Sequence, residues 1–348
     1  MAHAERPDLS ERQQDVLRRL VDDYVASGEP VGSKTLVERG GLGFSASTVR
    51  NELSELERFG LLTHPHTSAG RVPTEAGYRF YADVLLEELE PRPGPFAIDP
   101  AATRSGVDAA LEATTETLSQ VTRLLALVSA PPLQTTTVRH VEVLLLQPQV
   151  VMVVVITSTG GVSKRVFALG DPLDPGLTSW AAEYLNERLA GLRIGSAVLQ
   201  RRFAEDGLSA RELEFLELIR PAFTDLLDAH EQRLFVGGQA TLLGDVRTNE
   251  LDAGRRLLEA LERRAQILEL VGEALGSRRP IVRVGGELVD PSLRDAALVG
   301  ASYGLTNRTL GAVSVVGPLR MDYEKAIRTV RAAAHELSRF VEAVYEDN

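Results

Sequence analysis

The chain has 348 residues, 44% of them hydrophobic and 25% charged, with a formal net charge of −11 and no cysteine. That length accommodates two or three domains with buried cores, and the missing cysteines exclude disulfides, thiolate metal sites and cysteine nucleophiles, as fits a reducing compartment. The acidic balance argues against coating nucleic acid or anionic membrane by bulk charge, so any such partner must be met by a compact local site. No apolar run approaches the roughly 20 residues that span a bilayer, and MAHAERPDLSERQQ lacks the apolar core of a signal peptide; a cytoplasmic protein with no membrane partner is expected.

Ser10, with Gln13 three positions later, reads as a capping box that opens a first helix carrying Val16, Leu17, Leu20, Val21 and Tyr24 on one face. This helix stops near Ser27-Gly28, and a short second one over about Ser33 to Glu38 ends at Gly40-Gly41. A third starts at Ser45 or Ser47 and continues through VRNELSELERF, with Val49, Leu53, Leu56 and Phe59 at helical spacing. Gly60 terminates it, Leu61 and Leu62 lead into THPHTSAGRVPT at residues 63–74, and Thr74 with Glu75 opens a fourth helix.

Three helices, a strand-turn-strand and another helix form the pattern of a winged helix-turn-helix, whose third helix enters the major groove. On the polar side of the third helix lie Ser47, Thr48, Arg50, Asn51 and Ser54, with Ser45 at the cap and Lys34 nearby on the second helix. A guanidinium can pair with guanine O6 and N7, an amide with adenine N6 and N7, and hydroxyls with phosphates. Acids begin only at Glu52, Glu55 and Glu57. A wing against the duplex backbone must exclude carboxylates, bring its main chain close at a residue such as Gly70, and offer donors; residues 63–74 contain no acid and supply His64, His66, Thr67, Ser68 and Arg71 between Pro65 and Pro73. The His64-x-His66 pair has no cysteine and few carboxylates nearby to complete a zinc site, so its imidazoles read as phosphate donors.

PRPGPFAIDP, residues 91–100, has four prolines and a glycine and reads as a linker. Residues 101–130 read as a helix with Leu111, Leu118, Val121, Leu124, Leu125 and Val128 as its apolar positions, ended by Pro131-Pro132. The run VRHVEVLLLQPQVVMVVVITSTGGVSKRVFAL gives three β segments, an antiparallel meander with a buried middle strand that opens a sheet. Residues 173–244 are largely helical and end in FVGGQATLLGD, and helix returns over 251–276. PIVRVGGELV, AALVGASYG and GAVSVVGPL then resume the sheet, and an amphipathic helix spans Met321 to Tyr345. The fold class expected is α+β and multidomain: residues 1–90, the linker 91–100, a sheet domain over 101–172 and 245–348, and an insertion over 173–244.

Neither GGVSKR at 160–165 nor VRVGGE at 282–287 matches a phosphate-binding loop, and both read as hairpin turns. Trp180, near Tyr184 and Leu185, reads as core or interface. No Ser-His-Asp, paired-carboxylate or HExxH constellation is visible, so neither an enzyme nor a cofactor is expected.

The block SASTVRNELSELERFGLLTHPHTSAGRVPTEAGYRFYAD, residues 45–83, closely resembles the N-terminal winged helix of the bacterial heat-inducible transcription repressor HrcA family. FVGGQATLL at 235–243 and GPLRMDYEKAI at 317–327 also resemble that family, so the likeness spans almost the whole chain and is thinnest between 90 and 230. VRVGGELVD at 282–290 departs from it, since related proteins more often carry an isoleucine-glycine-glutamate type sequence there. The resemblance implies a homodimeric repressor of chaperone operons that binds double-stranded DNA at an inverted-repeat operator. It further implies a GAF-like domain interrupted by an inserted dimerisation domain, and a GroEL-type chaperonin that keeps the repressor active. The alternative is a winged-helix regulator gated by a small metabolite in the GAF-like domain.

Overall fold

A computed structural model describes residues 7–40, 43–65, 70–90, 92–131, 137–158, 161–203, 207–224, 234–240, 279–288 and 290–346, with Arg255, Arg256, Glu259, Gly272, Ala274 and Leu275. Helix α1 (Glu11–Ser27) starts where Ser10 Oγ accepts from Gln13 N while the Gln13 side chain accepts from Ser10 N, and it stops at Gly28 in the left-handed region. Helices α2 (Ser33–Gly40) and α3 (Ala46–Arg58) follow, and the cap of α3 is Ser45, not Ser47. The stripe Val49, Leu53, Leu56 is fully buried against Leu17, Leu20 and Leu36. Phe59, expected to extend that stripe, is 39% exposed because α3 ends one residue earlier; its ring lies beneath the Arg58 guanidinium instead. Strands β1 (Leu62–Thr63) and β2 (Val72–Pro73) pair antiparallel, and Thr74 caps α4 (Glu75–Glu87).

Residues 92–99 form neither helix nor strand. After them come α5 (Pro100–Ser105), α6 (Val107–Thr122), β3 (Leu125–Ser129), β4 (Val138–Gln147), β5 (Val150–Thr157), β6 (Val162–Ala168), α7 (Pro175–Leu189), α8 (Ala197–Arg202) and α9 (Ala210–Ile219). Then follow β7 (Leu234–Gly237), β8 (Ile281–Val284), β9 (Ala296–Leu305), β10 (Arg308–Pro318) and α10 (Tyr323–Glu346). The chain is thus a mixed α and β protein. Among the described residues beyond 100, two antiparallel sheets form, one in the order β7-β3-β10-β9-β8 and the other β4-β5-β6.

Three expectations change. The helix read over 101–130 is broken at Gly106 and ends at Arg123, whose φ of 62° is left-handed, and residues 125–129 become an inner strand. Strand β3 is buried on both faces, so its side chains form an unbroken apolar run without the alternation that marks a half-exposed strand. Strands β4–β6 do not open the main sheet. They form their own sheet, whose buried face (Val141, Val151, Val153, Val155) packs on Leu185, Leu189, Phe215 and Ile219 as a second core that includes the half-buried Trp180. Phe235, Val236 and Gly237 belong to β7 at the edge of the main sheet, not to the helical insertion. The interruption therefore runs from the end of β3 to the start of β7 and contains the meander as well as the helices. Most of the helix read over 251–276 lies outside the described residues.

The first 90 residues share one apolar core with the main sheet and α10. Tyr323, 1% exposed, stacks on Tyr78 with ring centroids 5.7 Å apart, meets Tyr81 edge-on at 6.2 Å, and donates to Leu319 O at 2.9 Å. Tyr81 donates in turn to Asp22 Oδ1, and burial pushes the Asp22 carboxyl above the usual carboxylate range despite that bond. Tyr323→Ala is expected to cost about 3–5 kcal/mol of unfolding free energy, and Tyr323→Phe, which loses only the hydrogen bond, about 1 kcal/mol. Urea denaturation followed by circular dichroism checks both; equal costs would deny the buried ring its role.

Candidate nucleic-acid interface

The amino end of α3 gathers hydroxyls. Ser45 Oγ accepts from Thr48 N at 3.2 Å and lies 2.8 Å from Ser47 Oγ and 2.9 Å from Thr48 Oγ1. No acid occupies the first turn, so the helix N-terminus keeps its partial positive charge for an anion. Ser45, Ser47, Arg50, Asn51 and Ser54 are exposed, and Thr48 is half-buried. Lys34 is exposed at the start of α2; like the side chains of Arg50 and Asn51, it has no hydrogen bond or ion pair among the described residues. The acids of α3 are each neutralised: Glu52 meets Arg12 at 3.5 Å, Glu55 meets Arg58 at 2.6 Å, and Glu57 meets Arg71 at 3.1 Å. In a chain of net charge −11, this leaves Lys34 and Arg39 of α2 and Arg50 of α3 as exposed cations with no ion pair among the described residues.

The hairpin is built onto this helix. Val31 N donates to Arg71 O and Arg71 N to Val31 O, each at 2.9 Å, which ties the base of the hairpin to the start of α2. Gly70 serves that tie. A Cβ there would lie 2.5 Å from the Val31 carbonyl carbon, so the close approach expected at the duplex is made to the protein's own backbone. Arg71, only 16% exposed, donates through Nε to Glu57 Oε2 at 3.2 Å and through Nη2 to Ser54 Oγ at 3.3 Å. His64 Nε2 lies 3.4 Å from the same Glu57 oxygen, and its Nδ1 is buried with no partner among the described residues. Two of the residues read as wing donors, His64 and Arg71, thus clasp the hairpin to α3. His66, Thr67 and Ser68 lie outside the described residues.

Glu57, the hub of the clasp, was missed as a site residue because its partners come from seven and fourteen positions downstream. The one signal available was that an arginine in an acid-free loop of an acidic chain needs a carboxylate from elsewhere.

The family model described as the HrcA protein C terminal domain matches residues 108–327. The chain is 38% identical over 332 residues to the heat-inducible transcription repressor HrcA of Parafrankia sp. (strain EAN1pec), covering 94% of this chain and 97% of that one. It is also 38% identical over 340 residues to the repressor of the same name from Acidothermus cellulolyticus (strain ATCC 43068 / DSM 8971 / 11B), covering 96% and 99%. A solved structure titled a hypothetical protein at 2.2 Å resolution aligns with 97% of this chain and 100% of its own at a TM-score of 0.65 and 24% identity, a likeness of fold alone. The class these likenesses define is a transcription repressor, not an enzyme. The chain belongs to the HrcA family of heat-inducible transcription repressors.

The clasp can be weighed separately. In a double-mutant cycle, Glu57→Ala and Arg71→Ala are expected to couple by roughly 1 kcal/mol in urea unfolding, a partly exposed ion pair joined by one hydrogen bond, Arg71 Nε to Glu57 Oε2. Additivity within about 0.3 kcal/mol would reduce the pair to a surface contact of no structural weight.

Proposed function

We propose that residues 1–90 are a winged helix-turn-helix that represses transcription of chaperone operons by holding an inverted-repeat operator, two chains to one site. The observation that carries this reading is the acid-free start of α3, where exposed Arg50 and Asn51 stand beside a hydroxyl cluster and the nearby acids are paired internally. Arg50 and Asn51 read base edges; Lys34, Ser45, Ser47 and Thr48 hold phosphates; His66, Thr67 and Ser68 do so from the wing tip. His64 and Arg71 act mainly by fixing the wing to α3. The unit carries ten Lys and Arg against sixteen Asp and Glu, so one half-site binds weakly, and pairing raises the effective concentration of the second half.

The dimer contact in this reading is the outer face of β4–β6, within the unit inserted between β3 and β7. Leu144 (41% exposed) and Val166 (56%) flank half-buried Met152 there, and Val162 (63%) pairs with half-buried Ile156, while His140, Glu142 and Lys164 share the same face. Apolar side chains left this exposed on a sheet face are ordinarily covered by a partner. The main sheet with α6 and α10 is the GAF-like domain, and the family's chaperonin, of GroEL type, keeps the repressor active in the cytoplasm and on the nucleoid. That last step rests on family membership alone.

A second reading, gating by a small metabolite, draws on a cleft of about 690 Å³ between β9, β10 and α10, with Arg92, Arg308, Arg331 and His335 on its walls. That volume suits a small ligand, and its three arginines, set against the single carboxylate of Glu342 that also lines it, suit an anion.

Fluorescence anisotropy on an inverted-repeat chaperone-promoter duplex and a scrambled control, at two salt concentrations and with or without chaperonin, tests the main reading. Tight, salt-sensitive binding to the repeat that chaperonin strengthens is the expected result; a phosphorylated metabolite that shifts affinity while chaperonin does not would favour the second reading. Arg50→Ala is expected to reduce discrimination between repeat and control by about 1–3 kcal/mol, and Lys34→Ala to weaken both duplexes alike and flatten the salt slope by about one contact. Val162→Asp with Val166→Asp is expected to give monomers by light scattering and to abolish the advantage of a full repeat over a half-site; a dimer that survives both substitutions removes this face from the interface.

A further inference from the structure

Helix α4 leaves the hairpin directly. Thr74 caps it, donates through its own N to Leu61 O at 3.0 Å and through Oγ1 to Gly60 O at 2.7 Å, so α4, the hairpin and the end of α3 are tied together as one piece. One side of α4 is apolar and carries Tyr78 and Tyr81 into the shared core. Its first two turns also carry two charged side chains, Glu75 and Arg79, that reach more than 200 positions along the chain to the segment VRVGGE.

That segment was read from sequence as a hairpin turn. It is the end of strand β8 followed by a single 3₁₀ turn over Gly285–Glu287. Glu75 Oε1 accepts from Gly286 N at 2.7 Å. Arg79, 22% exposed, donates to Val282 O, to Glu287 Oε2 at 3.2 Å and to the Asp83 carboxylate of its own helix. Glu287 is held in place because its Oε2 also accepts from Val284 N at 2.9 Å. Burial works against the Arg79 charge, but Asp83 and Glu287 outweigh it and raise the guanidinium above its ordinary pKa, so the cation persists at any physiological pH. Gly285 has a φ of 53°, and a Cβ on it would lie 2.4 Å from Glu75 Cδ. The turn is therefore a socket shaped to one carboxylate, and that carboxylate comes from the DNA-binding unit.

The apolar contact beside it resists separation of the two units, since apolar burial depends on area and little on direction. Hydrogen bonds from a guanidinium and to a carboxylate fix angle. We propose that Glu75 and Arg79 are positioning residues that set the angle of α3 and the hairpin on the body, and thereby select the half-site separation that the dimer accepts. This rests on the operator-binding reading above. With the angle fixed, two reading helices related by a two-fold axis meet the major groove at one centre-to-centre distance only. With the angle free, each unit swivels to reach half-sites at neighbouring distances.

The test uses the full-length protein and a panel of inverted repeats whose half-sites are moved apart in single base-pair steps, with an isolated half-site duplex as reference, read by fluorescence anisotropy. One variant is Glu75→Ala with Arg79→Ala. The other is Gly285→Ala, which displaces the Glu75 carboxylate from the opposite side and leaves both charged side chains in the protein. Each variant is expected to bind the isolated half-site within about twofold of wild type, while preference for the best spacing over its neighbours falls by about tenfold, the measure of lost preorganisation. A spacing-selective wild type whose selectivity survives in the variants that fold overturns this inference alone. A wild type indifferent both to spacing and to operator sequence overturns the operator-binding reading and this inference with it. Weakened half-site binding with unchanged spacing preference assigns Glu75 and Arg79 to stability and likewise overturns the proposal.

Discussion

Between the first 90 residues and the rest of the chain stands the ring of Tyr323, stacked on Tyr78 and edge-on to Tyr81 with almost no exposure. A helix-hairpin unit hung on a proline-rich tether would be free to tumble; this one is not free, because its own core and the core of the main sheet are continuous. Phe96 and Ile98, in the stretch without regular structure, pack on that same core, so the connection lies along the body and is not an open linker. The polar contacts from Glu75 and Arg79 are made at the exposed rim of that surface, and of those to the turn only the bond from Arg79 to Val282 O is partly buried.

The charge balance follows a similar logic of local closure. An acidic protein that must meet phosphate cannot rely on its overall field, which repels the partner. The alternative is to silence acids near the contact one by one. Arg12, Arg58 and Arg71 do this for Glu52, Glu55 and Glu57. The same pairings hold structure: Arg71 joins the hairpin to α3, and Arg12 also lies over the ring of Phe44 at 4.8 Å, just before the α3 cap. Arginine suits both duties, since its planar fork serves two acceptors at once and its charge does not titrate.

Much of this was legible in the sequence where the signals are local. The Ser10–Gln13 box, the Thr74 cap and the Val49, Leu53, Leu56 stripe each depend on residues a few positions apart, and each appears where the pattern set it. Failures cluster where the deciding partner is remote. Residues 125–129 looked like the end of a helix because burial on both faces of an inner strand erases alternation, and only pairing with β7 and β10 decides the outcome. Strands β4–β6 looked like part of the later sheet because nothing in an alternating pattern says which sheet a strand joins. Gly70, Arg71 and His64 read from the sequence as facing a duplex; within the chain their partners are Val31 and Glu57. A residue type specifies the chemistry offered, and the fold decides who receives it.

In the proposed reading, heat-inducible repression asks the protein to release DNA as temperature rises, and a shared core supplies a physical means. Were the two units independent, the reading unit could stay folded and bound while the body melted. With Tyr323 common to both, loosening of α10 would, in that reading, remove the floor beneath α4 and, through the Thr74 tie, disturb the hairpin and α3. Stabilities of folded domains are small differences between large opposing terms, so a loss of about 1–2 kcal/mol at one end changes the occupied fraction several-fold at the other. A partner that favours the folded form shifts the same balance by mass action. In the proposed reading the chaperonin therefore needs no contact near the operator: any site on the body that stabilises the common core also stabilises the orientation of α3.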